Sequence, residues 1–242
     1  MHAQRPDVYS LVIWPSMIFA YLLVALRLGN FDEWVAGLFY DAQQNGFPLR
    51  HAFWTQSVLH DGARKVFTGF AVALAVVVLA SWLPTQLREW RRLLVYLLVS
   101  IIVSIGAVNL GKRVTNVDCP WDLSIFGGDR VEYGLLGDKP EMAPVGHCYP
   151  GGHSSGGFSL FALYFVGLAV GMRRPRQMLL PPLLLGSILA IDQWMRGAHF
   201  PSHDLTTAYI CWMVSLLCYK LLLNGESTRP TRVEVACPPE RS

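Results

Sequence analysis

Six long apolar stretches constrain this chain more than any other feature: Ser10–Leu28, Val66–Leu83, Leu93–Leu110, Ser154–Met172, Met178–Gln193 and Leu205–Leu223. A helix needs about 20 mostly apolar residues to cross about 30 Å of hydrocarbon. Composition agrees with that reading. Of the 242 residues 52% are hydrophobic and 15% charged, against roughly 25% charged in soluble domains. Mean hydropathy is +0.34. A formal charge of +3 is too small for a nucleic-acid footprint. The expected fold is therefore all-α: a polytopic membrane protein with six transmembrane helices, spanning residues 1–223, with the phospholipid bilayer as solvent. Pro181 and Pro182 fall near the start of the fifth stretch, where a first helical turn tolerates them.

Loop charge orients the bundle. Arg88, Arg91 and Arg92 outnumber Glu89 between the second and third stretches, and Arg173, Arg174 and Arg176 follow the fourth. The positive-inside rule puts both loops in the cytoplasm. Residues 113–150 carry Asp118, Asp122, Asp129, Glu132, Asp138 and Glu141 against Arg113, Arg130 and Lys139, and belong outside. Six spans then leave both termini cytoplasmic. The first stretch has no basic cluster before it and no small-residue cleavage site after it, so it reads as an uncleaved helix. Residues 224–242 are polar and read as a flexible cytoplasmic tail. In the other outer loop, 30–65, Phe31, Trp34, Val35, Leu38 and Phe39 recur at helical spacing, which predicts a short interfacial helix with an aromatic face. His60, Asp61 and Arg64 end that loop. They read as a capped helix start, with contact to a headgroup as the alternative.

Three polar clusters interrupt the apolar pattern on the predicted outer side: Lys112 to Pro120, Cys148 to Gly156, and Asp192 to Asp204. Ionisable groups at a membrane edge are expensive and point to function. In the second cluster, Gly151 and Gly152 allow close backbone approach, and the residues from Ser154 open a helix whose free N–H groups attract an anion. In the third, Ser202 is placed to cap the next helix. Arg196 precedes His199 by three residues and matches phosphate oxygens with its planar fork. Lys112, Arg196, His153, His199 and Asp204 together suit phosphate chemistry, since histidine can act as nucleophile and as acid near neutral pH.

The three clusters resemble the signature motifs of the type 2 phosphatidic acid phosphatase family, the membrane relatives of vanadium haloperoxidases. That pattern is K-x6-R-P, then P-S-G-H, then S-R-x5-H-x3-D. Here Lys112 precedes Cys119-Pro120, Pro150-Gly-Gly-His153 stands for the second motif, and His199 begins His-Phe-Pro-Ser. Lys112, His153 and His199 carry over directly. Cys119 replaces an arginine, Asp192 and Gln193 replace the serine and arginine of the third motif, and His203 occupies the aspartate position. Arg196 and Asp204 carry over as displaced substitutes, with Arg113 or Arg130 as a replacement for the remaining ligand.

The resemblance implies a metal-independent lipid phosphate phosphatase with no cofactor. His199 would attack phosphorus, oriented by Asp204 or Asp192, and His153 would protonate the leaving oxygen. Lys112, Arg196, Arg113, Gly151, Gly152 and Ser154 would hold the phosphate. The substrate would be a membrane lipid phosphate or pyrophosphate, taken at the periplasmic face of a bacterial inner membrane without a protein partner. A phosphotransferase using the same phosphohistidine and a non-catalytic lipid-binding relative are the rival readings. The cysteines divide by location. Cys211 and Cys218 fall in the last stretch, Cys237 in the tail, and Cys119 and Cys148 flank the expected site on the outer side, where a disulfide would close the 113–150 loop.

Overall fold

The apolar stretches fold as helices, and the polar clusters fall at their ends. The computed structural model describes residues 7–131, 133, 139–140 and 142–223. Its helices are α1 (Val8–Leu28), α2 (Phe31–Gly37), α3 (Phe53–Ala80), α4 (Arg91–Thr115), α5 (Ser155–Ala169), α6 (Leu180–Met195) and α7 (Pro201–Leu222). Among the described residues there are no strands, only the isolated bridges Asp41 to Gly46 and Leu123 to Arg130. The predicted tail 224–242, with Cys237, lies outside the described residues, as do Glu132, Asp138 and Glu141.

Five helical segments among the described residues are long and apolar enough to cross a membrane: Val8–Leu28, Phe53–Ala80, Gln86–Asp122, Pro175–Met195 and Pro201–Leu222. The fourth expected span is the shorter helix α5. It begins after the Gly151–Gly152 turn and stops before Gly171, whose φ of 69° ends the helical path. At 1.5 Å per residue it rises only about 22 Å. The expected sixth span is therefore not shown by length. Phe158, Leu160, Phe161, Ala162, Tyr164, Phe165 and Leu168 are all buried, so α5 is enclosed by the other helices. By contrast Trp14, Tyr21, Phe70, Val76 and Leu79 on α1 and α3 are exposed, an apolar surface suited to lipid.

Tyr96 and Leu93 of α4, Phe165 of α5 and Leu216 and Tyr219 of α7 share one core. Within it the Tyr96 hydroxyl donates to the Ser215 carbonyl at 3.1 Å, and Ser100 to the Ser215 hydroxyl at 3.2 Å. Such short polar links between helices are typical of bundles in lipid. Small residues do the same for α5 and α6: a Cβ on Gly157 would sit 2.3 Å from the Gly186 nitrogen.

Two elements depart from expectation. The second span begins at Phe53 rather than Val66, its first ten residues wound as a π-helix before the α-helical part from Ala63. Gln56, His60, Asp61 and Arg64 had hidden its start by lowering the local hydropathy. The short helix predicted in the 30–65 loop is α2, with Phe31 and Trp34 exposed as expected. Its Asp32 is fully buried, and its carboxylate accepts the Ser202 N–H at 2.9 Å. Asp32 rather than Ser202 thus satisfies the start of α7. Ser202 lies inside that helix, in its first turn.

The outer loop is pinned to the end of α4. Asn116, with φ of 50°, turns the chain out of the helix. The Cys148 N–H donates to the Val117 carbonyl at 3.0 Å and the Thr115 hydroxyl to the Tyr149 carbonyl at 2.5 Å. Cys119 and Cys148 are joined by a disulfide, their Cα atoms 5.1 Å apart. Asp118 binds both Arg130 and Lys139, at 2.5 and 2.6 Å.

Candidate active site

Helix ends assemble the centre. α4 delivers Lys112 in its last turn, the Pro150–Ser154 turn precedes α5, and His199 lies between α6 and α7. Asp204 sits in the first turn of α7 and reaches back, its Oδ1 3.2 Å from His199 Nδ1. The same carboxylate accepts the Ser154 hydroxyl at 2.6 Å and the Trp194 indole N–H at 2.8 Å. Both members of the dyad are buried, His199 4% and Asp204 2% exposed. The three groups on one carboxylate fix the imidazole, with Nδ1 as donor to Asp204 and Nε2 left for the cavity. Asp192 is not the partner of His199: it accepts from Gln193 at 2.6 Å, and its other oxygen is buried without a partner among the described residues.

A cavity of about 590 Å³ opens beside this dyad. Its polar end is lined by Lys112, Gly152, His153, Gln193 and His199, together with His60 and Arg64 of α3. Its remaining walls are apolar, with Phe70 and Val72 of α3 facing Leu98, Ile102 and Ile105 of α4. His153 stacks on His60 with ring centroids 4.6 Å apart, and its Nε2 donates to the Leu59 carbonyl at 3.2 Å. Burial pushes the His153 ring down to about 4, and the like charges of His60, His199 and Arg196 push the same way.

The two glycines serve different purposes. A Cβ on Gly151 would meet Asp204 Oδ1 at 2.1 Å and His199 Nδ1 at 2.8 Å, so glycine there lets the backbone pack against the dyad. The Gly151 N–H is already donated to the His203 carbonyl at 3.1 Å. Gly152 lies on the cavity wall, where a Cβ would stand 3.0 Å from Lys112 Nζ. The N–H groups of Gly152 and His153 have no partner among the described residues.

Other expected ligands stand elsewhere. Ser154 is fully buried with its hydroxyl on Asp204, and Arg113 is exposed outside the cavity. Arg130 is engaged by Asp118. Arg196 is 5% exposed and does not line the cavity. Its guanidinium donates to the Arg50 carbonyl at 3.2 Å, to Gln193 at 3.3 Å and to Gln56. α6 ends at Met195, and Gly197, with φ of 68°, turns the chain. His203, at the family's aspartate position, is completely buried, its ring edge against Tyr149. The sequence favours a capped helix start for His60 and Arg64, with headgroup contact as the alternative; the structure puts both on the cavity wall. The available signal was their spacing: His60, Arg64 and Phe67 fall at i, i+4 and i+7 on one helix face, and all three line the cavity.

These features define a cavity in a bundle of apolar helices that carries a buried histidine–aspartate pair, a second histidine and a lysine. Residues 93–226, more than half of the chain, match the family model of the PAP2 superfamily, and the protein belongs to that superfamily. Membership points to phosphatase action on lipid phosphates. No curated protein and no solved structure shows significant similarity to the chain.

Proposed function

We propose that the protein hydrolyses a lipid phosphate or pyrophosphate at the outer face of the membrane through a phosphohistidine. The observation that carries this reading is the two-part cavity: a cationic, histidine-bearing end continuous with an apolar trough between α3 and α4. A phosphorylated headgroup fits the first part and a hydrocarbon chain the second.

His199 Nε2 attacks phosphorus while its Nδ1–H remains donated to Asp204. The bond from phosphorus to the leaving oxygen breaks, and His153 gives that oxygen a proton. Because Nε2 of His153 is held by Leu59, Nδ1 is the atom that exchanges the proton. Water then attacks the phosphohistidine and returns a proton to His153, and inorganic phosphate departs. Lys112 and the free N–H groups at Gly152 and His153 balance charge that develops on the phosphoryl oxygens. The reaction needs no metal on this reading.

Phosphate release from a panel of lipid phosphates by the purified protein in detergent is the direct test. Release should survive EDTA. Brief incubation with labelled substrate should leave an acid-labile label on the wild type and none on His199→Ala. Release that EDTA abolishes and metal restores would overturn the metal-free scheme, and a label retained by His199→Ala would move the nucleophile elsewhere.

A further inference from the structure

The predicted arginine ligand, Arg196, is turned out of the cavity, yet the cavity has two basic side chains that the three motifs do not supply. His60 and Arg64 sit one helical turn apart on α3, opposite the wall formed by Lys112, Gly152 and His199. His60 is held in place. Its Nδ1 lies 3.0 Å from Asp61 Oδ1, and Asp61 Oδ2 accepts from Gln56 at 3.1 Å. Gln56 in turn accepts from Arg196. The series Arg196, Gln56, Asp61, His60 thus runs behind the cavity and ends on a ring stacked against His153. With Nδ1 donated to Asp61, Nε2 of His60 is the nitrogen left for a ligand.

We propose that α3 carries a phosphate-binding pair, Arg64 and His60, which supplies phosphate contacts beyond those of the three motifs. The proposal rests on the reading of the cavity as a phosphate site. The ligand group is a phosphoryl group, whether free or on a lipid. Arg64 brings a fork that can take two oxygens, and His60, with its Nδ1–H on Asp61, donates from Nε2 in the protonated form that a bound phosphoryl anion favours. The π-helical winding of residues 53–62 sets this face: it carries Gln56, His60 and Asp61 ahead of the regular helix, at a place where such irregular turns accompany function.

Two measurements on the full chain in detergent separate the sources. The first is titration calorimetry with inorganic phosphate alone. Arg64→Ala and His60→Gln should each weaken binding about tenfold, Arg64→Lys should recover much of the loss, and Arg88→Ala, an exposed arginine in the loop before α4, should bind as the wild type does. The second is hydrolysis of dioctanoyl phosphatidic acid. Arg64→Ala should raise KM about tenfold while kcat stays within about threefold, the pattern of lost uniform binding. Unchanged phosphate binding in both Arg64→Ala and His60→Gln overturns the proposal. So does a loss confined to the lipid, which would put Arg64 against the glycerol or chain. If the wild type binds phosphate in an Arg64-dependent way but releases phosphate from no member of the lipid phosphate panel, the phosphatase reading falls and the α3 pair stands. Should Arg64→Ala fail to fold, Arg64→Gln read against Arg64→Lys gives the same comparison.

Discussion

His199 and Asp204 carry the sharpest expectations at the scale of single residues. His199→Ala removes the attacking nitrogen, and Asp204→Asn leaves a side chain that no longer favours the Nδ1–H tautomer. The first should lower kcat by about 10³-fold or more and the second by about 10²-fold or more, with thermal unfolding showing that the His199 variant remains folded. Near-normal turnover in a stable His199→Ala would remove the mechanism. His153 has a distinct pH signature. Its folded-state value of about 4 lies below the ordinary 6.5. The unfolded chain therefore takes up a proton that the folded chain refuses, and stability falls as pH drops through that window. Above it the ring is neutral in both states and contributes no pH dependence. His153→Gln should flatten the decline in melting temperature between about pH 7 and pH 5. A bound phosphate favours the protonated ring, so the alkaline limb set by His153 should lie at higher pH in kcat than in kcat/KM. Coincident limbs would argue against His153 as the acid. Lys112, His153 and His199 were readable from sequence because each sits in a short segment with a fixed relation to a helix end. Arg196 was not, because α6 ends just before it and nothing in the spacing reveals that end.

Among the elements, α7 depends on α2 in a way local sequence conceals. The carboxylate of Asp32 accepts a backbone N–H at the first turn of α7 and lies 3.6 Å from Arg27. Burial raises its proton affinity above the ordinary carboxylate value, a cost that the Ser202 bonds and Arg27 partly offset. Asp32→Ala would strand the Ser202 N–H, and leaving a buried donor unpaired costs about 1–3 kcal/mol. Because α7 carries Asp204 two residues later, the same variant should lower kcat as well as melting temperature. Asp32→Asn keeps an acceptor and should recover most of the stability. Equal melting of Asp32→Ala and wild type would show that α7 needs no such cap. From sequence, the aromatic pattern of 31–39 foretold the helix but not the inward turn of its acid, since the partner lies 170 residues away. The α3 boundary was misjudged for a related reason. Hydropathy reads polar residues as the end of a span, and here they line a cavity inside it. The shortness of α5 was equally hidden, because it follows from being enclosed by other helices rather than from its own composition.

At the scale of the whole molecule, charge and covalent structure together bear on which end faces out. α4 runs from Arg91 and Arg92 at one end to Lys112 at the other, about 30 Å by helical rise. The Arg91 guanidinium holds the Ser81 carbonyl at 2.7 and 3.0 Å, and Arg92 the Leu222 carbonyl at 3.2 Å, so the basic end is stitched to the ends of α3 and α7. The opposite end carries the cavity's polar residues, the acidic loop and the Cys119–Cys148 disulfide. A disulfide persists in oxidising compartments, and arginine-rich loops are retained in the cytoplasm, so both features predict the same orientation. Single cysteines placed at exposed positions test this directly. In a Cys237→Ser background, Asp129→Cys should react with a membrane-impermeant maleimide on intact cells, while Arg88→Cys and Arg173→Cys should react only after permeabilisation. The native residues will not interfere, since Cys211 and Cys218 are buried and the other pair is joined. Reduction should then expose Cys119 and Cys148 to the same reagent from the outside. It should also lower the melting temperature, because a loop of this size gains roughly 3–4 kcal/mol from closure in the chain-entropy model. Labelling of Arg88→Cys on intact cells, with Asp129→Cys protected, would reverse the orientation and place the phosphate site on the cytoplasmic side.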